Sequence, residues 1–138
     1  MKKINDEAGK VLQKLSEGLK VGGSRVIDNS KGTFMPVHVE VIGKVDNVAG
    51  TGRMIAVAHY YEQNGDLVTD PEMVFVESVG MKGNIAYYPV SFEMGGMKFE
   101  RSAIIEDGKL TKVNPVLNRE HAVFAGKWMK NIKSQQRL

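Results

Sequence analysis

Residues 59–73, HYYEQNGDLVTDPEM, set one imidazole, two phenols and four carboxylates in fifteen positions with no lysine or arginine among them. Three kinds of chemistry use such a set. Carboxylate oxygens with an imidazole hold a divalent cation. An imidazole within reach of a substrate proton acts as a general base. Acidic groups held on a hairpin recognise a basic partner. The candidate set is His59, Tyr61, Glu62, Asn64, Asp66, Asp70 and Glu72. In the binding reading His59 and Glu62 supply orienting hydrogen bonds, and Asp66, Asp70 and Glu72 supply the acidic contacts. On a strand, His59 and Tyr61 share one face, and Glu62 falls on the other unless a bulge turns it. Turn formation competes for the same residues. Asn64-Gly65 is a strong hairpin signal, because both central residues of a type I′ turn need positive φ. Asp66 can hydrogen-bond the local backbone, and Asp70-Pro71 suggests a second turn before the next strand.

The motifs that would sharpen this into catalysis are missing. The chain has no HExxH, no EF-hand spacing, no GxSxG elbow, no GxxxxGK[ST] and no GxGxxG opening a helix. Asp70-Pro71-Glu72 has the acidic part of a nuclease core, but no lysine follows it on the same strand to complete one. Zero cysteines exclude disulfides and thiolate sites. No catalytic residue, metal site or cofactor is therefore assigned. The leading reading is a non-enzymatic binding or accessory module that uses the acidic hairpin for recognition. Its partner is a basic protein, or the chain's own basic ends in a homo-oligomer. The alternative at the same place is a small metal-dependent hydrolase using His59, Glu62, Asp70 and Glu72.

The same stretch resembles an uncharacterised bacterial domain family of plasmid, phage and other mobile-element proteins, whose hallmark is close to H-Y-x-E-Q-N-G-D-x-x-x-D-P-E. His59, Tyr60, Glu62, Gln63, Asn64, Gly65, Asp66, Asp70, Pro71 and Glu72 match it. The resemblance covers about a tenth of the chain and implies no activity. It implies a small cytoplasmic protein or module that travels with mobile DNA.

The elements that must position these residues are legible from periodicity. Asn5 caps a helix whose Ala8, Val11, Leu12, Leu15 and Leu19 recur at three and four, with Gly22-Gly23 as its stop. From MPVHVEVIG onward the period is two, with His38 and Glu40 on the face opposite Val37, Val39 and Val41. GKVDNVAGTG (43–52) reads as a turn-rich connection. Further strands follow at 53–61, 72–80, 84–94, 97–105 and briefly after Asp107-Gly108, with Gly95-Gly96 as a two-residue turn. Asn114 and Pro115 open a last helix with Leu117, His121, Phe124, Trp128 and Ile132 on one stripe; the final SQQRL should fray. The expected fold is α+β, one domain over 1–138. A twisted, mostly antiparallel sheet of five to six strands carries both terminal helices on one face. Apolar patterning on both faces of two strands leaves open a partly closed barrel.

Composition bounds the partners. Net charge is +3 overall, but segments 1–53, 54–81 and 82–138 carry +3, −5 and +5, so an acidic middle lies between basic ends. Lys127, Lys130, Lys133 and Arg137 form a basic stripe on the last helix, giving a third reading as a nucleic-acid accessory protein. An exposed tyrosine in AYYPVSF (86–92) could stack on a base, and an exposed edge strand could pair with a partner. No apolar run reaches the roughly twenty residues that span a bilayer. The expectation is a cytoplasmic protein with no membrane partner.

Overall fold

The computed structural model describes residues 1–47 and 50–138. Six strands form one antiparallel sheet in chain order: β1 (Ser24–Ile27), β2 (Val37–Asn47), β3 (Gly50–Gln63), β4 (Asp66–Val79), β5 (Ile85–Met94) and β6 (Lys98–Arg101). The sheet is open, with β1 and β6 as its edges, so the barrel alternative is not realised. A second, two-stranded ribbon follows, β7 (Ala103–Glu106) with β8 (Lys109–Val113). Helices α1 (Asp6–Leu15) and α2 (Pro115–Gln135) pack on one face, giving the expected α+β class.

Alternation decides which side chains meet the helices. Val37, Val39 and Val41 of β2, Ile55 and Val57 of β3, and Met73 and Phe75 of β4 are fully or almost fully buried. They pack against Leu12 and Leu15 of α1 and Trp128, Met129 and Ile132 of α2. Complete burial of a side chain of this size contributes about 1.5–3 kcal/mol, so this layer supplies most of the drive to fold.

The opposite face is only half covered. Ser102 follows β6, and its backbone N–H donates to Val90 O at 2.9 Å as the chain turns across the sheet. The expected single strand 97–105 is therefore two strands in different sheets. The β7–β8 ribbon lays Ala103, Ile105 and Val113 on Val45, Val76 and Val90, and its turn reaches β2, where Asp46 N–H donates to Gly108 O at 2.8 Å.

Three bulges bend the sheet: at Ile42 in β2, at Asp70-Pro71 in β4 opposite the single residue His59, and at Val90 in β5. The connection expected at 43–52 is mostly strand, since β2 and β3 stay paired to Asn47 and Gly50; Val48 and Ala49, within it, lie outside the described residues. The second turn expected at Asp70-Pro71 is also absent. That pair, joined by a cis peptide bond, sits inside a fourteen-residue strand. Asn64 (φ 53°) and Gly65 (φ 84°) do make the β3–β4 turn, and Gly95-Gly96 turn with Met97 as a third loop residue before Lys98 pairs with Met94.

The first helix stops at Leu15, well short of Gly22-Gly23. Gly18, in the left-handed conformation (φ 75°), takes the chain out of the helix, and Arg53 of β3 holds that exit. Its guanidinium donates to Ser16 O (2.7 Å), Leu19 O (3.0 Å) and Ser16 Oγ (3.1 Å), beside the Leu19 N–H that donates to Ser16 O at 3.1 Å. The same guanidinium clasps Glu77 through Nε (3.0 Å) and Nη2 (2.6 Å), and the Tyr87 hydroxyl donates to Glu77 at 3.0 Å.

The C-terminal residues do not fray. Gln136 is fully buried: its Oε1 accepts from Asn29 N (2.6 Å) and its Nε2 donates to Met35 O (3.2 Å). At the other end of α2 the fully buried Asn118 accepts from Lys2 N (2.6 Å) and donates to Pro89 O (2.8 Å) and Ser102 Oγ (3.2 Å). Polar groups this deep are retained because each is hydrogen-bonded.

Candidate functional site

The hairpin does not gather its chemistry. Glu62, Asn64 and Asp66 are exposed at its tip, and Tyr61 beside them is 40% exposed with its hydroxyl next to Gly95. His59 is buried under α2, its ring edge-on to Trp128 at 5.5 Å and its Nδ1 3.0 Å from Pro36 O. Asp70 is half-buried in the β4 bulge, and Glu72 lies on the opposite face of the sheet from His59. Among the described residues no three His, Asp or Glu side chains are grouped to hold a metal ion. Of the acids in the stretch, Glu72 is the one that enters a cleft.

That cleft is the uncovered half of the second sheet face. Register carries two adjacent rungs across all six strands. One runs Val26, His38, Ala58, Glu72, Glu93, Phe99; the next runs Ser24, Glu40, Ala56, Val74, Ser91, Arg101. The small side chains of Ala56 and Ala58 leave a depression in the middle of β3. Two concavities, of about 220 and 320 Å³, meet at Glu72. The first is walled by His38, Glu40 and Tyr60, the second by Met54, Val90, Phe99 and Arg101.

The β4 bulge sets this geometry. Two residues of β4 face one of β3, so Glu72 stays level with Ala58 while Thr69 is level with Tyr60. Tyr60 can then lean along the face and donate from its hydroxyl to Glu72 Oε2 at 3.3 Å, with the His38 ring edge-on to it at 4.8 Å.

The electrostatics are those of an acidic floor, with Arg101 on the far wall. Among the described residues no lysine or arginine lies within ion-pair distance of Glu40, Glu72 or Glu93. Arg25, at the β1 edge, points its guanidinium to Leu15 O on the helix side. Arg101 stacks on Phe99 at 5.2 Å. Burial raises the Glu72 carboxyl above its ordinary value; the charges of Glu93 and then Glu40 raise it further, against a hydrogen bond from Tyr60 that lowers it. Burial also lowers His38, with His59 adding to the effect, so its imidazole is neutral near pH 7. Burial and the Glu72 charge raise the Tyr60 phenol. A cation entering the groove would offset the repulsion that these shifts report.

Sequence reasoning found Glu72 but missed His38, Glu40, Tyr60 and Glu93 as its companions. The alternation in residues 35–43 already put His38 and Glu40 on the face away from the core. The link to Glu72 and Glu93 needed register, which alternation does not give. The basic residues Lys127, Lys130, Lys133 and Arg137 are exposed on or just beyond α2, on the other side of the molecule.

No helix among the described residues is long and apolar enough to cross a membrane. No curated protein and no solved structure matches the chain. A family model described as "Domain of unknown function (DUF6908)" matches residues 1–138. The chain therefore belongs to the DUF6908 family of domains of unknown function.

Proposed function

We propose that the protein is a cytoplasmic binding module that receives a lysine- or arginine-bearing segment of a protein partner on its open sheet face. The mobile-element setting implied by the 59–73 resemblance belongs to the same proposal. The observation that carries it is the pair of rungs that bring Glu40, Glu72 and Glu93 together around an alanine floor, where among the described residues no lysine or arginine is within ion-pair distance of them and Arg101, on the far wall, stacks on Phe99 instead. Aromatic and apolar walls (Tyr60, Met54, Phe99) suit the methylene stem of a long cationic side chain, and the carboxylates suit its head. The hairpin tip, with Glu62 and Asp66 in solvent, contributes long-range attraction rather than a pocket.

The test is calorimetric titration of an oligo-lysine peptide into the native protein, Glu72→Gln with Glu93→Gln, and Glu62→Gln with Asp66→Asn. The groove pair should weaken binding by about tenfold or more, roughly 1.4 kcal/mol, and the tip pair by about twofold or less. Equal weakening by the two pairs, in proteins with unchanged circular dichroism, would reduce the interaction to net charge and remove the groove from the account.

A further inference from the structure

The helix layer carries the opposite charge. From His121 to the C-terminal residue of the chain there are four lysines and arginines and no acid: Lys127, Lys130, Lys133 and Arg137. All four are exposed. The adjoining face of α1 adds Lys10 and Lys14, four residues apart and also exposed. A shallow groove of about 160 Å³ between the two helices is lined by Lys10, Lys14 and Lys133 together with Glu7, Val11 and Leu138, so Lys133 of α2 shares one surface with the two lysines of α1. Glu7 stands 3.7 Å from Lys133, and Glu17 lies near Lys14 beyond the groove. Among the described residues no carboxylate is within ion-pair distance of Lys10, Lys14, Lys127, Lys130 or Arg137.

We infer that this two-helix face binds the phosphate backbone of a nucleic-acid duplex, independently of the groove on the sheet. Charge complementarity selects the partner, and spacing supports it. Lys127 to Lys133 covers about 9 Å of helix, with Arg137 just past its end, long enough to run beside about three phosphates of one strand at about 3.4 Å of axis each. The residues between these cations that are not buried are polar, Asn131, Ser134 and Gln135, while Trp128, Met129 and Ile132 face the core; a bilayer-binding helix needs large apolar side chains on its contact face. The exposed Val123 and Phe124 lie on the turn before the stripe. Contacts of this kind set affinity without reading sequence.

Fluorescence anisotropy of a labelled duplex DNA of arbitrary sequence, repeated over a series of salt concentrations, tests the inference. Binding should weaken with salt with a log–log slope near −4, the value for about four or five neutralised phosphates. Lys130→Glu with Lys133→Glu should cut affinity at least about tenfold and make the slope shallower by about two. Glu72→Gln with Glu93→Gln should leave both unchanged. The substituted lysines are exposed, and circular dichroism checks that each variant is folded. Three results would overturn the inference: no binding at low salt, binding that ignores the lysine reversal, or tighter binding of oligo-glutamate or of phosphatidylglycerol vesicles than of the duplex.

Discussion

Replacing Arg53 with alanine should be among the most damaging single changes to this fold, although Arg53 touches no part of the proposed groove. The guanidinium makes two hydrogen bonds to Glu77, whose side chain is 8% exposed, and three to the chain just after α1. Removing one partner of a buried, hydrogen-bonded pair costs about 3–5 kcal/mol, because the remaining charge keeps its desolvation penalty. Against a total stability of about 5–15 kcal/mol, and at about 3–4 °C per kcal/mol for a chain of this length, the melting temperature should fall by about 9–20 °C. The pH dependence gives a second signature. Burial alone would raise the Glu77 carboxyl; the hydrogen bonds and charge of Arg53, with the Tyr87 hydroxyl, outweigh it and hold the carboxyl below its ordinary value. A carboxyl lowered in the folded state contributes stability above its unfolded value and loses it as pH falls through the folded one. The gap between native protein and Arg53→Ala should therefore be full at neutral pH and narrow in acid. Thermal melts followed by circular dichroism at both ends of that range give the numbers, and amide hydrogen exchange should show residues 16–23 opening first. A variant melting within about 2 °C of the native protein at neutral pH, or a gap that does not change with pH, would refute the role given to this cluster.

Two further outcomes follow from other buried or crowded polar groups. Asn118→Ala removes the partner of the Lys2 N–H and one of the hydrogen bonds at Pro89 O and Ser102 Oγ, which keep the bond between them, and should cost about 1–3 kcal/mol in a urea melt, with no change in oligo-lysine binding. Glu72→Gln should do the reverse: the carboxyl is raised in the folded state, so its ionised form opposes folding near neutral pH, and the amide should melt at the same or a higher temperature there. That advantage should vanish in acid, where Glu72 is protonated, and the gain in stability should come with a loss of peptide binding.

Periodicity was enough for the architecture and not for the site. Apolar residues at three and four in α1, and Val37, Val39 and Val41 at two, name the core directly, because burial acts on every residue of the face. The α2 stripe is half right: His121, Trp128 and Ile132 are buried, but Phe124 is exposed and Leu117 half-buried, and Ala122, Ala125 and Met129 complete the buried face. Asn64-Gly65 and Asp107-Gly108 name their turns because few residues tolerate positive φ. What failed was everything set by a partner distant in sequence. The exit from α1 is held by Arg53, thirty-seven residues beyond Ser16. The burial of Gln136 depends on Asn29 and Met35. The hairpin residues are dispersed by register: Glu72 of β4 is level with Ala58 of β3, so His59, the next residue of β3, takes the opposite face under α2 while Glu72 enters the groove. Asp70-Pro71, which reads as a turn, is a bulge that keeps Glu72 level with Ala58 and Glu93.

The most direct test of the groove is a two-dimensional amide NMR titration of the native protein with an oligo-lysine peptide at low salt. Binding to the open sheet face predicts that the largest shifts fall on His38, Glu40, Ala56, Ala58, Glu72 and Glu93, with the hairpin tip at 62–66 nearly still. Shifts concentrated at Glu62 and Asp66, or a spectrum that does not respond, would contradict it.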